Sequence, residues 1–196
     1  VFFISLIQIM KESIIYINYF DVIDQERVKH IMSISSQIIA EKKPDALYFL
    51  FSSPGGQVSA GIQLYNFLKA LPTKIIMHNT GSIDSIATVV FLAGEERYAA
   101  HHSTFLFHGV SMAFTKDSQF NLTQLQELKS SLEEDQKKIA GIITSNTKLK
   151  SDDMDQLFLQ GETKDLGFAK DKGVITAIKD PIIPKDELFI TVNIQS

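Results

Sequence analysis

Ser85 and His108 are the two side chains whose types and positions best suit nucleophilic chemistry. Ser85 lies in the stretch Gly81-Ser82-Ile83-Asp84-Ser85-Ile86-Ala87. Ahead of it Lys74 to Met77 reads as a short apolar strand, and after it Ile86, Val89, Val90 and Ala93 recur at helical spacing. The serine therefore sits where a strand turns into a buried helix. A hydroxyl in that place either caps the helix or, given a base and N–H donors for a developing oxyanion, attacks a carbonyl. The N–H of Ile86 is one such donor. Asp84 is expected to cap the helix, since a carboxylate adjacent in sequence is a poor base for a serine hydroxyl. His108 ends the apolar strand Thr104 to His108 and precedes Gly109, so a rigid element presents an imidazole able to accept a proton near neutrality. His30, His78, His101 and His102 have no metal-site spacing.

Ser53-Pro54-Gly55-Gly56 follows a strand and precedes a helix. Its glycines let backbone N–H groups approach a ligand, and the helix that follows adds its positive end. The same residues also make an ordinary turn, and both readings stand at this point.

These groups are positioned by alternating strands and helices, which argues an α/β fold with a mainly parallel sheet. Ser13 to Tyr19 and Leu47 to Phe51 read as strands. Asp24 caps a helix with Val28, Ile31, Ile34 and Ile38 on one face, ended by Lys43-Pro44. Leu64, Phe67, Leu68 and Leu71 mark a second helix running to Pro72. A long helix starts at Asn121, with Gln124 completing a capping box and Leu125, Leu128, Leu132, Ile139 and Ile142 on its apolar face. About 25 residues give it a length of about 38 Å, so it either projects toward a neighbour or folds over its own domain.

The 196 residues suit one domain, and 44% hydrophobic with 21% charged composition suffices for a core without disulfides. A net charge of -4 with scattered lysines gives no footprint for nucleic acid. The absence of cysteine fits a reducing compartment, and a cytoplasmic location is expected. The opening VFFISLIQIM is about half the roughly 20 residues that span a bilayer, so it reads as an edge strand or subunit contact and no membrane partner is expected.

Taken together, Ser53-Pro54-Gly55-Gly56, Ala60-Gly61, Gly81 to Ala87, Ala93-Gly94 and Phe105-Leu106-Phe107-His108 resemble, in order and spacing, the motifs of the Clp protease proteolytic subunit family of the ClpP/crotonase fold. The resemblance covers about Ile14 to Ile178, with 179–196 an unassigned tail. It implies repeated strand-strand-helix units with a projecting long helix. It also implies serine endopeptidase activity on peptides or unfolded proteins inside a homo-oligomeric ring of six or seven subunits, with no cofactor. Carried over, Ser85 is the nucleophile, His108 the base, Gly56 and Ile86 the oxyanion hole, and Gln57 and Val58 the residues that pair with an extended substrate.

The third triad member departs from the pattern. Counting back from Gly173 places the family's aspartate at Gly161, so Glu162, one residue on, is the preferred carboxylate and Asp155 the alternative. Asp84 and Ser82 also replace the usual neighbours of the nucleophile, adding a negative charge that would disfavour acidic substrates. The segment ahead of Ser13 is shorter than the family's gate region, which argues against docking to an ATPase unfoldase. Two rival functions remain: a non-catalytic ring or scaffold subunit, favoured by a missing carboxylate, and a crotonase-like acyl-CoA enzyme, which would need a basic or adenine-binding pocket.

Overall fold

A computed structural model describes residues 12–192. The segment read as an edge strand or subunit contact lies outside these residues, apart from which the elements follow in strand–helix alternation. They are β1 (Ile14–Phe20), α1 (Gln25–Lys42), β2 (Ala46–Ser53), α2 (Val58–Ala70), β3 (Lys74–Asp84), α3 (Ala87–Phe91), β4 (Glu96–Ala99) and β5 (Thr104–Leu106). The long helix α4 (Leu122–Asn146) comes next, then α5 (Ser151–Gln160), β6 (Thr163–Lys164), α6 (Leu166–Asp171), β7 (Ala177–Ile178) and β8 (Phe189–Thr191). Asp24 and the Asn121–Gln124 box cap their helices as the sequence predicts.

Among the described residues one sheet runs β6-β5-β3-β2-β1-β8, with β4 and β7 branching from β3. All its pairings are parallel except β5 with β6. Every residue of β2 is buried, as expected for a central parallel strand covered on both faces. One face carries the main core, where Phe49, Phe51, Leu64, Leu68 and Phe91 pack with the helices. The other carries Tyr16, Tyr48, Leu50 and Ile76. The tail left unassigned in the sequence supplies β8, whose Phe189 to Thr191 lie beside Tyr16 to Asn18.

β3 is longer than the strand read from Lys74 to Met77. Its first half, Ile76 to Asn79, pairs with β4, and its second half, Ser82 to Asp84, pairs with β5. The buried Asn79 joins the two regimes: its Nδ2 donates to the Thr104 carbonyl at 2.9 Å and its Oδ1 accepts from the Gly81 N–H at 3.0 Å. A polar residue in mid-strand breaks the apolar run, which is why the pattern ends early on paper.

The fold beyond the sheet is tied by Arg97, whose guanidinium donates to the carbonyls of Gly94, Asn146, Gly173 and Val174. It thereby joins the end of α4 to the turn before β7. α4 itself divides. Ile139 and Ile143 are buried against the core and Leu128 and Leu132 half-buried, while Leu122 is 83% and Leu125 50% exposed. The amphipathic face is thus as predicted in its second half, with Ile143 rather than Ile142 fully buried, and open in its first. No helix among the described residues is long and apolar enough to cross a membrane.

His78, which the sequence placed at a strand end, lies fully buried inside β3. Its Nε2 lies 2.8 Å from the Lys179 carbonyl, which can only accept, so this nitrogen carries the proton. Nδ1 then accepts from the Tyr48 hydroxyl at 2.6 Å. Burial pushes the imidazole below its ordinary value, against a smaller upward pull from the Lys179 carbonyl. A proton excluded from the folded state binds the unfolded chain preferentially as the pH falls below about 6.5. Stability contributed by the neutral ring is therefore complete above that pH and is lost on going below it. Urea denaturation at pH 7.5 and pH 5.5 is expected to show a larger acid loss for the parent than for His78→Gln. Equal losses would assign the acid sensitivity to other groups.

Candidate active site

The end of β3 fixes Ser85. Its N–H continues the ladder to β5, donating to the Leu106 carbonyl at 2.9 Å. The chain then reverses, with Ser85 at φ 59°, a left-handed conformation that a non-glycine residue adopts only under constraint. The constraint is visible on the far side: the Ser85 carbonyl accepts from both the N–H of Thr88, at 3.0 Å, and its hydroxyl, at 2.7 Å. Both main-chain groups are held, and the hydroxyl makes no hydrogen bond among the described residues. Ser85 is not the cap of α3, whose N-cap position is Ile86 and has no side-chain bond. Asp84 does not cap it either, contrary to expectation. It is the last residue of β3 instead.

The Gly55-Gly56 turn packs directly on this serine. A Cβ on Gly55 would lie 2.7 Å from the Ser85 Cβ and 3.3 Å from its Oγ. Gly56 is at φ 149°, and a Cβ there would fall 2.1 Å from the Ile23 carbonyl oxygen. The turn is pinned to Ile23 by two main-chain bonds, Ile23 N–H to Gly55 at 2.8 Å and Gln57 N–H to Ile23 at 2.7 Å. This leaves the N–H of Gly56, and likewise that of Ile86, without an intramolecular partner among the described residues. Glycine is required at this turn by contact, which sequence alone could not distinguish from turn preference.

His108 arrives from β5. Phe105 and Phe107 are buried while Leu106 and His108 are half-buried, so the strand's alternation carries on past its last paired residue. Its Nδ1 donates to the Gly109 carbonyl at 2.7 Å, leaving Nε2 as the free nitrogen. Gly109 is in turn held to α5 through its N–H, which donates to the Phe158 carbonyl at 3.2 Å. Gly56, Val58, Ser85, Ile86 and His108 line one cavity of about 60 Å³, closed at the back by Phe107 and Ile143. No hydrogen bond joins Ser85 to His108 among the described residues. Catalytic contacts of this kind commonly tighten only around substrate.

The remaining expected residues lie elsewhere. Gln57 is exposed as the N-cap of α2, with its N–H already bonded to Ile23. Glu162 is held by Lys164 at 3.0 Å with its side chain 64% exposed. Asp155 is exposed beside Gln136 and Lys137 in a separate groove. Gly161, at φ 57° as the C-cap of α5, is the residue that meets His108, with a Cβ there 3.9 Å from the His108 Cβ. Asp84 was overlooked as a neighbour of that ring. Burial raises its carboxyl above the ordinary value, while a Ser82 hydrogen bond and the nearby His108 pull it down. The alternation through Phe105 and Phe107 was the signal that could have placed it.

A model of the Clp protease family matches residues 3–180. Among curated proteins the chain is 28% identical over 88 residues to ATP-dependent Clp protease proteolytic subunit 2 of Pseudomonas aeruginosa, covering 44% of this chain and 43% of that one. It is 34% identical to the proteolytic subunit of Oltmannsiellopsis viridis, over 44% of this chain and 45% of that one. Thus it spans less than half the length of these two relatives in the matched region. With proteolytic subunit 1 of Corynebacterium jeikeium it shares 24% identity over 88% of this chain and 92% of that one. Among solved structures, a ClpP1 mutant from Listeria monocytogenes superposes with a TM-score of 0.73 at 16% identity, over 85% of this chain and 91% of that one. That likeness establishes the fold.

The close approach of Gly56 to Ile23 has a measurable consequence. Gly56→Ala is expected to destabilise the protein by about 3 kcal/mol, because a Cβ must displace backbone and φ is unfavourable for it. Urea denaturation reads this directly, and a loss below about 1 kcal/mol would mean that the turn can relax away from Ile23.

Proposed function

The chain belongs to the Clp protease family, and on that premise we propose that it is a serine endopeptidase cutting peptides or unfolded proteins within an oligomeric chamber. The observation that carries this reading is the convergence of Ser85, His108 and the free N–H groups of Gly56 and Ile86 on one cavity. In the proposed reaction the Ser85 hydroxyl attacks the scissile carbonyl as His108 Nε2 takes its proton. The oxyanion is held by the two N–H groups, which are fixed before substrate arrives. Collapse breaks the C–N bond, His108 returns the proton to the leaving amine, and water then releases the acyl group by the same steps. Val58 at the cavity wall and Gln57, exposed just before it, are assigned to the substrate chain.

Assembly is supported by the apolar surface around the start of α4. Phe114, Leu122 and Leu125 are 52%, 83% and 50% exposed, and Phe114 stacks edge-on with Phe120 rather than entering the core. Apolar surface of this extent in one stretch is characteristic of a subunit contact. A second reading, a non-catalytic ring subunit, is favoured by one observation: His108 Nδ1 donates to a neutral carbonyl instead of a carboxylate.

Intact mass after exposure to a fluorophosphonate separates the two readings. A single adduct on the parent, lost in Ser85→Ala and in His108→Ala, is expected; a folded parent that takes no adduct would favour the non-catalytic subunit. Assembly is tested by Leu128→Asp with Leu132→Asp, which is expected to reduce the assembled mass measured by light scattering. An unchanged mass would remove the long helix from the interface.

A further inference from the structure

His108 has no carboxylate on Nδ1, and the residue that packs on it from α5 is Gly161, which has no side chain to offer. A different carboxylate lies on the neighbouring strand. β3 and β5 run parallel with Ile83 opposite Phe105 and Asp84 opposite Leu106. Residues opposite one another share a face of the sheet, and alternate residues along a strand return to it. The buried pair Ile83 and Phe105 therefore faces the core, as does Phe107, while Asp84, Leu106 and His108 lie together on the half-buried face. Ser82, opposite Thr104, belongs to the same row.

From this row we infer that Asp84 is a positioning residue for the Ser85–His108 pair: its carboxylate supplies, across the β3–β5 ladder, the negative charge that stabilises the His108 imidazolium. The inference rests on the proposed peptidase reading. In that scheme the hydrogen-bonding and electrostatic duties are divided. The Gly109 carbonyl fixes the tautomer by accepting from Nδ1, and Asp84 offsets the charge that appears when Nε2 takes the serine proton. Neither duty requires a bond between Asp84 and the ring, since opposite charges on one half-buried face interact through space.

The other groups around His108 do not compete for this role. From β6, Glu162 is neutralised by Lys164 and exposed. From α5, Asp155 faces the groove beyond Phe158, and from α4 the nearest side chain at Gly109 is the uncharged Gln136. Burial raises the Asp84 carboxyl above its ordinary value, and Ser82 and His108 oppose part of that rise.

The test is the pH dependence of fluorophosphonate labelling at Ser85 in the assembled full chain. Asp84→Asn keeps the shape and an acceptor for Ser82 but removes the charge. An imidazolium without its counter-charge is less favourable, so the base remains available to lower pH and is weaker above it. The acid limb of the labelling profile is expected to move down by about one pH unit and the plateau rate to fall about tenfold. A carboxylate restored from the other side, by Gly161→Asp in the Asp84→Asn background, is expected to move the limb back up. The backbone at 161 suits this, since aspartate tolerates the left-handed conformation that the residue holds. A parental profile in Asp84→Asn would overturn the inference while leaving the peptidase reading in place. So would a lower plateau with an unmoved limb, which is the mark of a structural role. A folded parent that takes no label at any pH would overturn the peptidase reading and the inference with it.

Discussion

The site depends on how β3 divides its hydrogen bonds. A strand of 11 residues begins on β4 and finishes on β5, and the exchange occurs at one buried side chain, Asn79. Its amide reproduces the strand bonds that neither neighbour can supply at the crossing. Without it the part-buried Gly81 N–H and Thr104 carbonyl would lose these bonds at the crossing. Everything functional follows from the second half of that strand. Its register with β5 sets which face His108 joins, and its end delivers Ser85 into a left-handed turn held by main-chain bonds on both sides.

The same register explains why the two faces of the sheet have different chemistry. On the helix-covered face near the site Phe91, Phe105 and Phe107 are buried, and Phe107 lines the cavity. On the other, Tyr16, Tyr48, His78 and Tyr98 form a row of rings with centroids 5.0 to 5.9 Å apart. Lys179 lies over the last ring at 3.3 Å. That row contains a histidine as buried as any residue in the chain, yet every nitrogen of it is matched to an uncharged partner. His108 is the contrasting case, with one nitrogen matched and the other facing a cavity.

What the sequence disclosed was local. Asp24, Asn121 and the apolar periodicities located the helices because caps and 3.6-residue spacing are properties of a single segment. The serine, the histidine and the paired glycines were legible through their order, since each ends a strand or opens a helix. Relations across strands were not. The branch in β3 was hidden because a polar side chain interrupts the apolar run, β8 because three residues give no period, and Asp84 because its neighbours in space come from another strand. Gly161 shows the limit most clearly: counting along the chain led to this position, yet a glycine there reads as a turn until its approach to the His108 Cβ is seen.

The strand β8 carries a consequence for the order in which this molecule can be completed. Its residues 189–191 close the edge of β1, whose own residues begin at 14. A ribosome makes the first of these strands about 170 residues before the last, so until β8 is made the part of β1 that it pairs has N–H and C=O groups without that partner. Nascent chains in that condition offer a template to any extended segment nearby. The arrival of β8 is thus also the event that ends this exposure along Tyr16 to Asn18.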